Sequence, residues 1–194
     1  MNKKIKQPLE GINILDLTRV LAGPTATQIL GDLGANIIKV ERPITGDDSR
    51  NLGPPYLDSH LKKPMESAYF LSVNRNKSSV EIDLTKKEGQ ELTKKLIKKC
   101  DILVENFRAD NLKQYGLDYN SIKKINPKII YCSITGFGQN GPYSKRGGYD
   151  YLVQAMGGIM SITGKKKGDP TKIGVGVSDI ITGLYSSIAI LSAL

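Results

Sequence analysis

Residues 11–41 have the sequence GINILDLTRVLAGPTATQILGDLGANIIKVE, in which two hydrophobic patterns follow each other. Gly11–Leu17 is a short apolar-rich run of the kind found in buried strands, and Asn36–Glu41 is a second one. Between them, Ala22–Leu33 has helical spacing and carries Pro24 near its first turn, where the fixed φ of proline suits a helix. The segment therefore predicts a β-α-β unit.

The same order of elements continues along the chain. Further strands are predicted at Ser79–Leu84, Asp101–Glu105 and Lys128–Ile134, and further helices at Lys86–Lys99, Ala109–Tyr115, Ser121–Ile125, Tyr149–Gly157 and Ile180–Leu194. Two long loops are predicted at Arg42–Lys63 and Thr135–Gly148. Strands that alternate with helices predict an α/β fold, with an open, mostly parallel sheet and helices on both faces.

The length and the last helix bear on domain organisation. A chain of 194 residues is long enough for one full-sized domain, or for half of a larger protein. Ile180–Leu194 is apolar to its last residue and lacks a glycine cap or a basic last turn, which favours the second alternative. The run is also too short for a membrane span, which needs about 20 apolar residues. We therefore expect residues 1–194 to be one α/β domain of a truncated chain, with the second domain and the C-terminal part absent.

Composition narrows the choice of partners. Lys and Arg number 28 against 19 Asp and Glu, and the formal net charge of +9 suits a phosphorylated ligand as well as a nucleic acid. Trp is absent and Phe occurs three times, so no aromatic surface for stacking bases is predicted. Cys100 and Cys132 do not form a CxxC motif and His60 is the single histidine, so no metal site is expected. The N-terminus lacks an apolar signal segment, and we expect a cytoplasmic protein without membrane or nucleic-acid partners.

Asp179 is the candidate catalytic residue. It follows the glycine-alternating stretch Gly174-Val-Gly-Val-Ser178 and precedes the apolar helix. Glycines allow a ligand to approach the backbone closely, and the free N–H groups at a helix start favour an anion that forms a covalent intermediate. The alternative is that Asp179 only caps its helix, and the local sequence alone favours capping.

A dinucleotide-binding site is less favoured. Glu41 ends the second strand at about the distance where an acid binds a ribose hydroxyl. However, the turn Arg19–Pro24 contains one glycine where the fingerprint of nicotinamide dehydrogenases needs three. This turn lies at the carboxyl end of a strand and is still suited to hold part of another nucleotide.

Six motifs in fixed order between residues 8 and 194 resemble the class III CoA-transferases, a family that includes formyl-CoA transferase, carnitine CoA-transferase and the α-methylacyl-CoA racemases. The motifs are PLEGINILDLTRVLAGP (residues 8–24), GDLGANIIKVERP (31–43), NRNKS (74–78), VENF (104–107), SITGFG (133–138) and GYD (148–150). The resemblance implies a Rossmann-like large domain with Asp179 as the nucleophile, a role that is compatible with capping. It also implies a full-length chain about twice as long, in an interlocked homodimer.

The resemblance further implies an acyl-CoA and a free carboxylic acid as substrates, with no metal and no nicotinamide. Asp179 would form a mixed anhydride with the acyl group and then a thioester with coenzyme A, before the acceptor acid reverses the exchange. The residues that would contact coenzyme A are Val20, Leu21, Ala22, Arg42, Lys77, Asn106, Phe107 and Tyr149. Arg42 suits the phosphates, because a guanidinium matches phosphate geometry.

Some of these assignments have alternatives. Val20 and Ala22 are also consistent with core positions, and Lys77 with a solvated strand end. Many family members carry an arginine in the helix after Asn106-Phe107, where this chain has Lys113-Gln114, so a phosphate contact is either lost or made by Lys113.

Tyr149 bears on the type of reaction. Racemases that resemble this chain have a histidine at this position, and an ordinary tyrosine is a poor base because its pKa is about 10. Transfer is therefore favoured over racemisation of a 2-methylacyl-CoA.

Three segments bear on the substrate class. Residues 71–77, 129–136 and 182–185 look most like the dicarboxylate-specific members, which implies a donor such as succinyl-CoA. A function from a different class, a non-catalytic CoA-binding or oligomerising fragment, also stays open.

Overall fold

The computed structural model describes residues 6–57 and 66–194. The described residues form strands β1 Asn13–Asp16, β2 Asn36–Glu41, β3 Tyr56–Leu57, β4 Glu66–Ser67, β5 Lys77–Glu81, β6 Ile102–Glu105 and β7 Ile130–Ser133. The α-helices are α1 Ala22–Asp32, α2 Ala68–Ser72, α3 Lys87–Ile97, α4 Tyr119–Ile125, α5 Asp150–Met156 and α6 Val177–Ala193. Short 3₁₀ helices lie at Asp48–Asn51, Asn111–Tyr115 and Ile159–Ile162.

The central sheet is open and entirely parallel. Its five strands lie in the order β5-β2-β1-β6-β7, and β3 with β4 forms a separate antiparallel pair. In the register of the sheet, Leu15 of β1 lies opposite Ile38 of β2 and Leu103 of β6. This architecture confirms the predicted α/β fold.

Successive residues of the central strands pack against helices on opposite faces. Leu15 and Leu103 belong to a core with Ile97 and Ile122, at the side of α3 and α4. Ile14, Ile102 and Val104 belong to a second core with Leu30 of α1 and Ile190 of α6. Because both faces are covered, the strands are apolar throughout, as is typical of parallel sheets. The predicted helices on both faces are confirmed.

Several local predictions differ from the structure. The alternating pattern of residues 79–84 extends beyond β5, which ends at Glu81 because its partner β2 ends at Glu41, opposite it. The predicted helix at 109–115 is a 3₁₀ helix at Asn111–Tyr115. The predicted loop from Arg42 contains a 3₁₀ helix and β3, while its end near Lys63, together with His60, lies outside the described residues.

Helix α6 begins at Val177, three residues earlier than predicted. Its small residues Gly183 and Ser187 face α1, and the Ser187 hydroxyl donates to the Ala26 carbonyl at 3.3 Å. Large apolar side chains on its other face are exposed, namely Ile181, Leu184, Tyr185, Ile188, Leu191 and Leu194. Within the described ranges, none of the helices is long and apolar enough to cross a bilayer.

Candidate active site

The turn between β1 and α1 forms one wall of the site. The Asn106 side chain pairs with both backbone groups of Arg19: its Nδ2 donates to the Arg19 carbonyl at 2.7 Å, and its Oδ1 accepts the Arg19 N–H at 2.9 Å. The Val20 N–H donates to Asp47 Oδ1 at 3.1 Å. Gly23 is required in the first turn of α1, since a Cβ there would lie 2.3 Å from Thr18 Cβ. The turn is therefore held by side chains from distant parts of the chain.

The start of α6 carries Asp179 into the site. Gly176 occupies the N-cap position and makes no side-chain cap, and Asp179 is the third helical residue. The cap is supplied by Asp150 of α5, whose Oδ1 accepts the Ser178 N–H at 2.9 Å. Asp150 Oδ2 also accepts a hydrogen bond from Gln154 Nε2 at 2.7 Å. The interpretation of Asp179 as the cap of its helix is therefore wrong, and its carboxylate is available for another role.

Asp179 is a half-buried acid next to a second acid. Burial raises the pKa of Asp179 to about 6, and the negative charge of Asp150 contributes to this increase. Burial also raises the pKa of the Tyr69 hydroxyl, with further contributions from Asp179, Asp150 and Asp47. Tyr69 of α2 therefore lies close enough to these carboxylates for their charges to act on it.

Asp179 lines a cleft of about 440 Å³. Of the residues predicted to contact coenzyme A, six line the same cleft: Val20, Leu21, Ala22, Asn106, Phe107 and Tyr149. Leu21 and Ala22 are also buried, so they combine a core position with a place in the wall. Gly136 and Gly148 form another part of the wall, where a Cβ on Gly136 would lie 2.3 Å from Gly148 Cα. The fold thus brings together residues that lie far apart in the sequence.

Three arginines in this cleft were not predicted: Arg19, Arg108 and Arg146. The Arg19 guanidinium lies over the Phe107 ring at 5.0 Å from its centroid, and Arg146 lies over Tyr143 at 4.2 Å. Arg19 lies in the motif of residues 8–24, Arg108 directly follows the motif of residues 104–107, and Arg146 lies two residues before the motif of residues 148–150. Their closeness to these motifs was the feature of the sequence that could have indicated them. Lys113 lines a neighbouring cleft of about 820 Å³ instead, so it does not join these three arginines in the Asp179 cleft.

Arg42 lies in an adjoining cleft of about 500 Å³, which shares Arg19 and Phe107 with the Asp179 cleft. Its side chain is half-exposed and pairs with Asp48. Asp48 also pairs with Arg19 at 3.4 Å. The two clefts therefore meet at Arg19 and Phe107, and the guanidinium groups lie along the route between them.

Lys77 does not reach either cleft. Its Nζ lies 3.2 Å from Asp16 Oδ2, and it donates to the Pro24 carbonyl at 2.9 Å and to Asn74 Oδ1 at 3.0 Å. Only 2% of the side chain is exposed, so the interpretation as a solvated strand end also fails. Burial lowers the pKa of Lys77 to about 8, against the effect of Asp16. Lys77 supports the turn from beneath.

Asp16 is the buried partner of Lys77. Burial alone would raise the pKa of Asp16. The charges of Lys77 and Lys39 and the hydrogen bonds from the Thr18 and Thr27 hydroxyls outweigh this effect and lower the pKa to about 2. The Asp16 carboxylate is therefore ionised throughout the physiological range, and it stabilises the two lysines beneath the turn.

The two cysteines are not suited to nucleophilic chemistry. Burial raises the pKa of the Cys100 thiol to about 11, and it also raises the pKa of Cys132. Across residues 6–57 and 66–194, no group of three or more His, Cys, Asp or Glu side chains is arranged to hold a metal ion.

Comparison with known proteins matches this chain to CoA-transferases by family model and by individual relatives. The model of CoA-transferase family III matches residues 9–194. A succinate–glutarate CoA-transferase of Agrobacterium fabrum is 53% identical over 189 residues, which cover 97% of this chain and 47% of that protein. A succinyl-CoA:glutarate CoA-transferase of Mus musculus is 53% identical over 188 residues, covering 97% of this chain and 42% of that protein.

A crystal structure of a CAIB/BAIF family protein from Brucella suis superposes with a TM-score of 0.92 at 51% identity, over 97% of this chain and 49% of that chain. The chain thus spans about half the length of the relatives it matches.

Proposed function

This chain belongs to CoA-transferase family III, and we propose that it passes coenzyme A from an acyl-CoA to a free carboxylic acid, with Asp179 as the nucleophile. One observation carries the proposal. Asp179 lies in the first turn of α6, on the wall of the cleft, while the capping bond that would engage it is made by Asp150.

The proposed reaction has two exchanges. An Asp179 carboxylate oxygen attacks the thioester carbonyl, the C–S bond breaks, and the coenzyme A thiolate leaves behind an aspartyl-acyl anhydride. The thiolate then attacks the carbonyl carbon of Asp179, which releases the donor acid and forms an aspartyl-CoA thioester. The acceptor carboxylate attacks the carbonyl carbon of this thioester, the C–S bond breaks, and the released coenzyme A thiolate leaves a second anhydride between the acceptor acid and Asp179. Finally, the thiolate attacks the acceptor acyl carbon, which yields the new acyl-CoA and regenerates Asp179.

The residues of the chain assist these steps in distinct ways. A pKa of about 6 leaves Asp179 ionised at neutral pH but more basic than an ordinary aspartate. The N-terminal end of α6 favours the negatively charged carboxylate of Asp179, which is present before the first exchange and is regenerated by the second. Gly136 and Gly148 allow two backbone segments of the cleft wall to pack directly against each other, because a Cβ on either glycine would clash with the Cα of the other.

Coenzyme A would extend across both clefts. Arg42 and Arg19 would bind its phosphates, and Val20, Leu21, Ala22, Asn106 and Phe107 would contact the pantetheine arm, with Tyr149 beside the acyl end. The names of these two relatives refer to succinate or succinyl-CoA and to glutarate, so we propose dicarboxylic acids as the substrate class. Arg108 and Arg146 line the Asp179 cleft and are suited to bind the second carboxylate of such an acid.

Two alternatives remain in competition with this proposal. The exposed apolar face of α6 favours a non-catalytic CoA-binding or oligomerising fragment, because such a surface is normally covered by other protein. An interlocked homodimer of longer chains would supply that cover. Racemisation of a 2-methylacyl-CoA is the third candidate, and it would need an acid-base partner for Asp179 across the substrate.

The decisive experiment is the intact mass of the purified chain after incubation with succinyl-CoA. Borohydride would reduce an aspartyl thioester at position 179 to homoserine, and hydroxylamine would convert it to a hydroxamate, so that peptide mapping locates either product. We expect the modification at Asp179, its absence in Asp179→Ala, and its retention in Asp169→Ala, which removes an aspartate from an exposed turn.

The other outcomes are also informative. Binding of coenzyme A without any adduct would favour the non-catalytic fragment and contradict the proposed chemistry. Exchange of the α-hydrogen of a 2-methylacyl-CoA with solvent deuterium, without an adduct, would favour racemisation.

A further inference from the structure

Three consecutive residues of the β1–α1 turn have backbone groups held by side chains from other segments. The Thr18 carbonyl accepts a hydrogen bond from Lys39 Nζ at 2.9 Å. Both backbone groups of Arg19 pair with Asn106, and the Val20 N–H donates to Asp47 Oδ1. Since this turn lines both clefts, whatever fixes its backbone also fixes the shape of the proposed acyl-CoA site.

Val20 is the residue of the turn that needs such support. Its φ is +70°, in the left-handed region. A β-branched residue is strongly disfavoured there, because its side chain crowds the backbone carbonyl. Such a conformation persists only where the surroundings hold it in place, and it is commonly found at ligand-binding sites.

Asp47 makes more contacts than the capping of a 3₁₀ helix requires. Its Oδ1 accepts the Ser49 N–H at 2.9 Å and the Ser49 hydroxyl at 2.7 Å, which is sufficient to cap the 3₁₀ helix that follows. Two further contacts have no part in capping: the bond from Val20, and an ion pair of Oδ2 with Lys39 Nζ at 2.8 Å. The Asp47 and Lys39 side chains are 0% and 1% exposed, so the pair is fully desolvated.

Lys39 connects Asp47 to the β1–α1 turn. Its Nζ reaches both Asp47 and the Thr18 carbonyl, two residues before Val20. Burial raises the pKa of Asp47, but Lys39 and the hydrogen bonds from Ser49 lower it by more, so the carboxylate stays ionised. A charged acceptor makes a stronger hydrogen bond to a backbone N–H than a neutral one.

We propose that Asp47, held by Lys39, is a positioning residue that keeps Val20 in its left-handed conformation and thereby sets the wall of the acyl-CoA site. This inference rests on the proposed function, because coenzyme A is the ligand whose binding depends on that wall.

Two double variants test the proposal with matched chemistry. Lys39→Met with Asp47→Asn removes both charges but keeps an oxygen that accepts the Val20 N–H. Lys39→Met with Asp47→Leu removes both charges and the acceptor, in a side chain of similar size. Neither variant leaves Lys39 or Asp47 as a buried charge without its partner, which would be strongly destabilising, and Asp16 keeps its ion pair with Lys77 in both. Coenzyme A binding is measured by titration calorimetry, and folding by circular dichroism.

We expect the Leu double variant to bind coenzyme A at least about tenfold more weakly than the Asn double variant, since release of the strained conformation opposes binding. Adding Val20→Gly to the Leu double variant should restore part of the affinity, because glycine adopts positive φ without strain. Equal affinities in the two double variants would overturn the proposal. Failure of the unaltered chain to bind coenzyme A would instead contradict the proposed function.

A single variant covers the case in which the Leu double variant does not fold. Val20→Gly in the unaltered chain should raise the thermal unfolding midpoint, because it removes strain at a position that Asp47 continues to hold. A lower midpoint would show that Val20 is not under strain, and would also overturn the proposal.

Discussion

Asp179 has a pKa that sets the expected pH dependence of its chemistry. Burial, followed by the charge of Asp150, raises the pKa to about 6, and only the carboxylate attacks a thioester. We therefore predict that the rate of covalent adduct formation rises with pH and reaches half its maximum at about pH 6. The measurement is a series of timed mass spectra after mixing with succinyl-CoA, between about pH 5 and about pH 8.

The raised pKa of Asp179 also affects the stability of the fold, which should fall with rising pH while the reaction rate increases. Between an ordinary aspartate pKa of 3.8 and about 6, the folded chain binds more protons at Asp179 than the unfolded chain does. The contribution of Asp179 to the free energy of unfolding should therefore fall as pH rises through this window. Asp179→Asn should remove this part of the pH dependence in urea titrations. An unchanged slope would contradict the raised pKa.

Asp150 has two separable roles, as a cap and as a nearby charge. Asp150→Asn keeps an oxygen for the Ser178 N–H but removes the charge, so the midpoint of adduct formation should move to lower pH. Asp150→Ala should show the same movement and should also destabilise the protein by about 1 kcal/mol, because the cap is lost. An identical pH midpoint in Asp150→Asn and the unaltered chain would show that this charge does not reach Asp179.

At the scale of residues, the sequence predicted that Asp179 lies at the start of a helix, but it did not predict that Asp150 caps this helix and raises the pKa of Asp179. The glycine flanks and the following helix are local features, so the position could be predicted. The capping acid lies 29 residues earlier, in α5, and no local pattern distinguishes it from the acid inside the helix. Lys77 illustrates the same limit, because its burial beneath α1 results from contacts with Asp16 and Pro24, far away in the chain.

At the scale of elements, the position of α6 depends on close contact with α1. A Cβ on Gly183 would lie 2.7 Å from the Ala22 carbonyl oxygen and 2.8 Å from Thr25 Cβ. We predict that Gly183→Ala destabilises the protein by about 1–3 kcal/mol, since a backbone oxygen cannot move aside easily. Because Asp179 lies one turn before Gly183, adduct formation should also slow.

Gly174→Ala is the matched control for this substitution. A Cβ at Gly174 would meet no atom within 4 Å, so urea unfolding should differ little from that of the unaltered chain. Equal stability of the Gly183 and Gly174 variants would show that α6 does not need this close approach.

Elements with a regular hydrophobic period were predictable, and short irregular ones were not. β1, α1 and β2 follow from the pattern of residues 11–41, because each is long enough to show its period. β3 and β4 have two residues each, which is too short for any period, and they lie in a stretch rich in Gly, Pro and Asp. The boundary of β5 depends on where its partner strand ends, which the sequence of β5 does not contain.

At the scale of the whole molecule, the two clefts predict that different parts of coenzyme A depend on different residues. Arg42 lines the cleft away from Asp179, and the clefts meet at Arg19 and Phe107. Arg42→Ala should weaken coenzyme A binding about tenfold, because a charge-assisted bond to phosphate is lost. Binding of pantetheine, which has no nucleotide phosphates, should not respond. Titration calorimetry with both ligands distinguishes these outcomes.

The control must separate this local contact from the general attraction of a basic protein for an anion. Lys167→Ala removes one positive charge from an exposed turn and leaves both clefts unchanged, so it lowers the net charge of +9 by the same amount. If the net charge governed affinity, Lys167→Ala and Arg42→Ala would weaken coenzyme A binding equally, and both effects would fade with added salt. A selective loss in Arg42→Ala, confined to coenzyme A, would show that its nucleotide phosphates bind in the cleft lined by Arg42.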